Sequence, residues 1–267
     1  MANAAPESPA LNPAVPNVAR MYDFMLGGKE NYESDRNAVR QLIGMAPDAA
    51  LNAQQNRQFL GRAVRFVVSQ GVTQFLDVGA GLPTQENVHE VARAVAPGAR
   101  TAYVDNDPVV LSHARALLGN DQYTAVVDGD VRDPAGILAD PQVRGLIDFG
   151  RPVCVLLVAI LHFVPDTDDP AGLVAAFRDA VTPGSYLILS HATMDGAPPQ
   201  EAARTTDAEN VYDRATARLF MRDPDQVSPL LTGFSLVEPG LVHVTDWRPQ
   251  APSRGFDAFL GAVGRKD

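Results

Sequence analysis

The sequence has very little cysteine: Cys154 is the only one among 267 residues. A lone cysteine cannot form a disulfide within the chain, and no Cys or His cluster has the spacing of a zinc site. The nearest approach to a metal motif is the acidic turn of Asp166, Asp168 and Asp169 before Pro170, a pattern more typical of a solvated helix start. We therefore predict no metal site and a reducing, cytoplasmic location.

Long hydrophobic runs and positive charge are scarce as well. The longest apolar run, Val153–Leu161, has nine residues, whereas a helix needs roughly 20 to cross a bilayer. The chain has 22 Lys and Arg against 32 Asp and Glu, which gives a formal net charge of −10. Such a charge repels phosphate backbones and anionic membranes at long range. We expect neither a nucleic acid nor a membrane as a partner.

The beginning of the sequence is rich in proline and lacks the basic, then apolar, pattern of a signal peptide. Apolar residues at helical intervals follow, as in Phe59, Ala63, Phe66 and Val67. We divide the chain into an extended or disordered arm (1–16), an N-terminal helical extension (17–70) and an α/β domain (71–267). The extension and the α/β domain are expected to form one structural unit.

Short β-rich runs alternate with helix-patterned stretches from residue 74 onward, which is typical of parallel strands with helices on both faces. The runs are Gln74–Val78, Arg100–Val104, Tyr123–Val127, Val153–Val158 and Ser185–Ser190. A helical stretch is predicted at about Glu201–Phe220. Two β-like runs near Phe234–Val237 and Leu241–Trp247, with an apolar tail at Phe256–Val263, predict antiparallel strands at one edge. The fold class is α/β and Rossmann-like.

The first predicted strand ends in a glycine-containing turn with an acidic residue. Gly79 and Gly81 allow a ligand to approach the backbone closely, while Asp77 repels a pyrophosphate and favours an ammonium or sulfonium group. Thr84 stands where a dinucleotide fingerprint has its third glycine. An NAD-linked oxidoreductase is therefore a weakened alternative. The turn alone is also compatible with an ordinary structural role.

The next two strands end in carboxylates too. Asp105, followed by Asn106, is placed to accept both hydroxyls of an adenosine ribose. Asp130, with the backbone N–H of Val131, is placed to contact the edge of an adenine. Singly, each carboxylate is more often a solvated loop or a helix cap. The three in chain order, with Asp77, predict an adenosine pocket without a phosphate site.

This series resembles motifs I to III of the class I S-adenosylmethionine-dependent methyltransferases, and Leu161–Asp166 is similar to their motif IV region. Further stretches resemble an actinobacterial family of S-adenosyl methyltransferases of unknown substrate, and the likeness extends from about Pro16 to the end of the chain. The stretches are Ala19–Tyr32, Phe75–Thr84, Tyr103–Ala116, Asp169–Leu173 and Ser185–Thr193. The N-terminal Tyr-Asp-x-x-Leu-Gly-Gly-Lys-x-Asn pattern is particular to that family.

The resemblance implies a mostly parallel seven-stranded sheet with helices on both faces, and S-adenosylmethionine as the cofactor, with S-adenosylhomocysteine as its product. Asp77, Gly79 and Gly81 would cradle the methionine part, and Ala159 would pack near its amino-acid group. Asp105 would hold the ribose, and Asp130 with Val131 would contact the adenine.

The Tyr22–Asn31 segment is predicted to fold over the cofactor as a lid, because paired glycines permit tight turns and aromatic side chains exclude water. The alternative is a helical arm that packs on the sheet or on a second subunit, in a possible homodimer. Tyr22 is also a candidate for contacting the cofactor and for orienting a substrate.

Methyl transfer from a sulfonium needs mainly alignment, so no catalytic group is obligatory. If the acceptor must lose a proton, His162 and His191 are the candidate bases, since each follows a strand at the cleft and titrates near neutrality. For either one alone, a structural histidine satisfied by backbone groups is the more common case.

The predicted function is transfer of a methyl group to a small-molecule acceptor, contacted by Asp195–Pro199 and the helix that follows. A non-catalytic sensor of the cofactor or its product is the alternative.

Overall fold

The computed structural model describes residues 12–83, 86–119, 121–203, 205–250 and 255–267. Residues 1–11 of the predicted arm, and Thr84, lie outside this part of the chain. Residues 12–16 lie against the helices that follow: the Val15 carbonyl accepts a hydrogen bond from Arg20 Nη2 at 2.9 Å, and the Pro13 carbonyl accepts one from Ser34 Oγ at 2.7 Å. This end of the arm is therefore anchored to the N-terminal extension.

Helices and strands alternate through most of the described chain. The helices are α1 (Val18–Met25), α2 (Glu33–Met45), α3 (Ala49–Ser69), α4 (Val88–Val95), α5 (Pro108–Leu118), α6 (Pro134–Ala139), α7 (Pro141–Leu146), α8 (Pro170–Ala180), α9 (Pro199–Ala202), α10 (Thr205–Tyr212) and α11 (Pro224–Val227). The strands are β1 (Gln74–Val78), β2 (Arg100–Asp105), β3 (Thr124–Asp128), β4 (Cys154–Val158), β5 (Tyr186–Ala192), β6 (Ser235–Leu236), β7 (Val242–His243) and β8 (Phe259–Arg265).

The strands form one mixed sheet in the order β3-β2-β1-β4-β5-β8-β6, with β7 also paired to β8. The first five strands are parallel, and β8 is antiparallel to β5. β6 pairs with the end of β8 and β7 with its beginning, so the two short strands share one edge position. Pro239 and Gly240 lie between them, where proline cannot donate to a ladder. The sheet thus has seven positions but eight strands, one more than predicted.

The central strands are apolar without alternation because both faces of the sheet are covered. Val155 and Leu157 of β4 pack in the core on one face, whereas Cys154 and Leu156 pack in the core on the other. Cys154 is fully buried, as expected for a small core residue. The fold is of the predicted α/β, Rossmann-like class.

α3 covers one face of the sheet through the apolar stripe visible in its sequence. Phe59, Ala63 and Val67 are fully buried. Phe59 and Phe66 meet the ring of Trp247 edge to face, with centroids 5.6 Å and 5.9 Å away, which holds the C-terminal segment on α3.

The predicted helix at about 201–220 was wrong in its second half. α10 ends at Tyr212, and residues 213–220 form turns and irregular backbone.

No helix in the described ranges is both long and apolar enough to cross a membrane. The same ranges contain no group of three His, Cys, Asp or Glu side chains arranged to hold a metal ion.

Candidate active site

A cavity of about 1230 Å³ lies at the carboxyl ends of the parallel strands. Its position follows from the topology: the chain leaves β1 toward β2 on one side and returns to β4 on the other, which opens a crevice between the two connections. α1, α2 and α3 and the segment after β5 form the remaining walls. Every predicted cofactor residue lines this cavity: Tyr22, Asp77, Gly79, Gly81, Asp105, Asn106, Asp130, Val131 and Ala159.

The turn after β1 requires glycine at two positions. Gly79 and Gly81 have φ values of +75° and +66°, a region that L side chains rarely adopt. A Cβ on Gly79 would also lie 2.6 Å from Ile160 Cγ1. The turn is held to β2 by hydrogen bonds from the Gly79 and Ala80 N–H groups to the Val104 carbonyl, at 2.8 Å and 3.1 Å. The backbone beside the cavity is therefore bare and fixed.

Asp77 brings a buried carboxyl group to this turn. Burial raises its pKa to about 7. The positive charge of Arg57 opposes this shift, and the negative charge of Asp105 adds a smaller increase. Arg57 lines the same cavity, its side chain makes no hydrogen bond to any described residue, and its Nε is buried. The guanidinium carbon of Arg57 lies 5.9 Å from the centroid of the Tyr22 ring. Sequence reasoning missed Arg57, because nothing in the α3 pattern places it beside a strand end.

Asp105 is held by two backbone groups. Its Oδ2 accepts a hydrogen bond from the Gly81 N–H at 2.8 Å, and its Oδ1 accepts one from the Asp107 N–H at 2.9 Å. Burial nevertheless raises the pKa of Asp105 to about 6. Each oxygen keeps a lone pair for a further donor. The carboxylate is thus oriented and ready to accept two hydroxyl groups.

Asp130 differs from Asp105 in being almost fully occupied. Its oxygens accept hydrogen bonds from the Arg132 N–H, Nε and Nη2 at 2.9 Å, 3.0 Å and 2.6 Å, and from Asn106 Nδ2 at 3.1 Å. Burial tends to raise the pKa of Asp130, but the Arg132 bonds outweigh it and lower the pKa. A carboxylate has about four acceptor sites. The predicted contact with adenine therefore requires one of these bonds to open.

The Tyr22–Asn31 segment has a clear structural role. The Gly28 N–H donates to the Asp23 carbonyl, and the Asp23 carboxylate accepts from the Glu30 N–H at 3.0 Å and Asn31 Nδ2 at 2.8 Å. A Cβ on Gly28 would collide with the Asp23 carboxylate. The Asp, paired-Gly and Asn positions of this pattern form the tight turn that ends α1.

α1 is anchored to the loop that carries Asp105. Asn17 Nδ2 donates to Asp107 Oδ2 at 2.6 Å and to Thr216 Oγ1 at 3.2 Å. Arg20 forms a buried ion pair with Asp35, 2.9 Å, and lies 3.6 Å from Asp107. The helix therefore packs on loops of its own chain, over the cavity. The Tyr22 hydroxyl donates to the Ala53 carbonyl at 3.0 Å and leaves its ring to line the wall.

The two candidate histidines have different surroundings. His162 lines the cavity, and its Nδ1 accepts a hydrogen bond from the Ala192 N–H at 3.2 Å. His191 is fully buried and does not line the cavity. Its Nδ1 donates to the Ala192 carbonyl at 2.8 Å, and its Nε2 accepts from Arg222 at 2.8 Å. Because both nitrogens are used, the geometry of His191 does not fit the predicted role of a base.

Arg222 organises the segment around His162 and had no signal in the sequence. It is buried and donates to the carbonyls of Leu161 and Val164, at 3.1 Å and 2.8 Å, to His191 and to the exposed carboxylate of Asp166. Burial and the Arg222 charge lower the pKa of His191 to about 4, although the Ala192 hydrogen bond opposes the shift. His191 is therefore a neutral acceptor that helps to position Arg222.

Replacing Arg222 by methionine is expected to lower the free energy of unfolding by about 3 kcal/mol, since two carbonyls and a histidine nitrogen would lose their buried donor. Denaturation by urea measures this change. Arg40→Met, in an exposed ion pair with Glu33, is the matched control and should change stability by less than about 0.5 kcal/mol. Equal losses in the two variants would contradict the positioning role of Arg222.

The predicted substrate segment lies only partly along the cavity wall. Thr193 and Met194 line the cavity, whereas the five positions 195–199 do not. Ala208 and Tyr212 of α10, together with residues 215–221, complete this wall.

The comparisons with known proteins agree with this geometry. The S-adenosyl methyltransferase family matches residues 4–267. A candidate methyltransferase from Thermobifida fusca YX, solved at 1.95 Å, is 39% identical and has a TM-score of 0.89, covering 98% of this chain and 99% of its own. A DUF574 family protein from Streptomyces avermitilis MA-4680 is 38% identical with a TM-score of 0.89, covering 95% and 98%.

Human N-acetylserotonin methyltransferase in complex with S-adenosylmethionine is 15% identical, with a TM-score of 0.50 over 94% of this chain and 63% of that one, a likeness of fold alone. No curated protein matches the chain. The comparisons give no support to a non-catalytic sensor.

Proposed function

Because the chain belongs to the family of S-adenosyl methyltransferases, we propose that its cavity binds S-adenosylmethionine together with a small-molecule methyl acceptor. The chain is an S-adenosylmethionine-dependent methyltransferase, and what we propose is the placement of cofactor and acceptor. The observation that carries the placement is the pair of buried carboxyl groups, Asp77 and Asp105, on either side of the bare Gly79–Gly81 turn in one cavity.

The adenosine half belongs at the ends of β2 and β3. Asp105 accepts the two ribose hydroxyls, while Asn106 and Val131 lie beside the adenine. Asp130 contacts the adenine edge when one of its Arg132 bonds opens. The acidic groups at these strand ends suit a nucleoside and disfavour the pyrophosphate of NAD.

The methionine half belongs at the end of β1. Asp77 supplies a negative charge and Arg57 a positive one, which together match a group that carries both an ammonium and a carboxylate. Gly79 and Gly81 let this group approach the backbone, and Ala159 packs against it. Tyr22 and the rest of α1 cover the site and exclude water.

S-adenosylmethionine supplies a methyl carbon on a positively charged sulfur, so that transfer depends mainly on alignment with the acceptor. The cavity, about 1230 Å³, is larger than the roughly 300–1,000 Å³ that usually holds one ligand. It therefore has room for both molecules. A macromolecular acceptor is disfavoured by the net charge of −10 and by the enclosing α1.

Calorimetric titration of the purified protein tests the proposed placement. S-adenosylmethionine and S-adenosylhomocysteine are expected to bind in the micromolar range, and NAD to show no heat of binding. 5′-Methylthioadenosine, which lacks the amino-acid group, should bind at least about tenfold more weakly, because it makes no contact with Asp77 or Arg57. NAD binding without either sulfur nucleoside would overturn the proposal, and equal affinity for methylthioadenosine would overturn the methionine subsite.

A cytoplasmic location and a possible homodimer are part of the proposal. The lone buried Cys154 supports the first. Sedimentation of the purified chain decides the second.

A further inference from the structure

The described lining of the cavity has an acidic end and an end without any carboxylate. Among the described residues that line it, all six carboxylates lie at or after the carboxyl ends of β1, β2 and β3: Asp77, Asp105, Asp107, Asp128, Asp130 and Asp133. The described lining from α1, α2 and α3, and from residues 158–259, contains no Asp, Glu, Lys or Cys. The acceptor end is therefore poor in groups that could remove a proton near neutral pH.

His162 is the one imidazole in the described lining, and its hydrogen bond decides which nitrogen carries the proton. Nδ1 accepts the Ala192 N–H at 3.2 Å, so this nitrogen holds a lone pair and no proton. A neutral imidazole with an accepting Nδ1 must carry its proton on Nε2. Nε2 makes no hydrogen bond to any described residue. The ring can therefore donate one hydrogen bond into the cavity, and it has no free lone pair with which to act as a base.

The charge state of His162 follows from its surroundings. Burial, His191 and Arg222 together hold the pKa of His162 well below its usual value. No described carboxylate hydrogen-bonds to the His162 ring and raises its pKa. The Asp166 carboxylate bonds to Arg222 instead. The imidazole is neutral across the physiological range, and Nε2–H is a fixed donor.

Aromatic rings surround this donor. The ring of His162 lies 4.4 Å from that of Phe163 and 5.9 Å from that of Phe259, measured between centroids. Phe163 in turn lies 6.0 Å from Tyr212, whose hydroxyl makes no hydrogen bond to a described residue. Burial raises the pKa of Tyr212 to about 12, so that its hydroxyl is also a neutral donor at this end. Planar apolar molecules pack well against such rings.

We propose that the methyl acceptor is a planar compound with an acidic aromatic or enolic hydroxyl, which binds as its oxyanion and accepts the Nε2–H hydrogen bond of His162. This rests on the proposed function. The hydroxyl proton leaves to solvent before or during binding. The oxyanion then forms the new O–C bond to the methyl carbon, the C–S bond breaks, and its electron pair stays on sulfur as a neutral thioether. No proton passes to the protein.

The binding test uses 4-nitrophenol, whose phenolate absorbs visible light, added to the protein in the presence of S-adenosylhomocysteine. The probe is expected to bind as phenolate and to titrate at least about one unit below its pKa in water, since a buried donor favours the anion. Binding as the neutral phenol, or an unchanged pKa, would overturn the proposal. This readout needs no catalysis and no variant.

Two substitutions of His162 separate a donor from a base. His162→Gln keeps an amide N–H near the position of Nε2 but cannot take a proton, whereas His162→Phe keeps the ring shape without a donor. Phenolate affinity and kcat are expected to stay within about fivefold of wild type in His162→Gln and to fall at least about 30-fold in His162→Phe. If both variants lose kcat to the same extent, His162 does not act as a hydrogen-bond donor and the proposal fails.

A series of ring hydroxyl compounds of graded acidity completes the test. The rate at pH 7.5 should fall as the hydroxyl becomes less acidic, and simple alcohols should not react. Calorimetry of the wild-type protein and of each variant with S-adenosylhomocysteine keeps two failures apart. Absent cofactor binding by the wild type would contradict the proposed function, whereas normal cofactor binding with equal reaction of alcohols would contradict the acceptor class alone.

Discussion

Replacing Asp105 by alanine is expected to weaken the binding of S-adenosylhomocysteine by about 100-fold. Hydrogen bonds to a charged group contribute about 1.5–3 kcal/mol each, and the variant loses both bonds to the ribose. It also loses the anchor of the Gly81 N–H, 2.8 Å from Asp105 Oδ2, which orients the turn. Calorimetric titration at pH 8, where the carboxyl group is ionised, measures the difference.

Asp179→Ala is the matched control for this prediction. Asp179 lies on α8 with an exposed side chain and an ion pair to its neighbour Arg178. Its removal changes the net charge by the same amount without touching the cavity. Retained affinity in Asp105→Ala, in a protein with an unchanged circular dichroism spectrum, would show that the ribose lies elsewhere.

Binding of S-adenosylmethionine is expected to weaken as the pH falls, because Asp77 must be ionised to face a cation. Its carboxyl group has a pKa of about 7 and that of Asp105 about 6. Below a pKa, each pH unit costs up to about tenfold in affinity for a ligand that needs the ionised form. Between about pH 8 and pH 5.5 the dissociation constant should therefore rise by at least about tenfold.

Asp77→Asn provides the control for this pH dependence and a second readout. The variant should bind weakly at every pH and lose most of the slope between about pH 6 and pH 8. A carboxyl pKa raised from 3.8 to about 7 stabilises the folded state below pH 3.8, and this contribution is lost as the pH rises through 7. The ligand-free variant should consequently melt higher than wild type at pH 8. An equal slope in both proteins would assign the titration to another group.

The parallel core of the fold was predictable from local sequence. β1 has the predicted bounds, and β2 to β5 begin or end within two residues of theirs. A buried strand appears in the sequence as a short apolar run, so it can be predicted without knowing which distant segments it contacts. The same topology explains why carboxylates that are far apart in sequence, such as Asp77 and Asp105, could be assigned to one pocket.

The two histidines show where such reasoning fails. His162 and His191 each follow a predicted strand, and on that ground alone they are equivalent. β5, however, continues through Ala192 because it pairs with β8, with His191 opposite Leu260. His191 therefore belongs to a strand that is paired on both sides, and its buried side chain accepts a hydrogen bond from Arg222. His162 instead lies on the short helical turn after β4.

Arg222 and Arg57 could not have been found by pattern. Arg222 follows an irregular segment with no hydrophobic period, and its four partners come from residues 161–166 and 191. Arg57 lies on α3, and the apolar stripe of that helix predicts the contacts of the opposite face only. Contacts of this kind depend on which distant segments pack together, and a single sequence does not reveal this.

The interior position of β8 has a consequence for how the protein is made. During synthesis the five parallel strands emerge first, and β5 then has an open edge until residues 259–265 leave the ribosome. An apolar strand with seven unpaired positions is a template for wrong pairing. The nascent chain should thus depend on chaperones until residues 259–265 are released, and a deletion of residues 260–267 should aggregate in cells while leaving every described wall residue of the methyl-transfer cavity encoded.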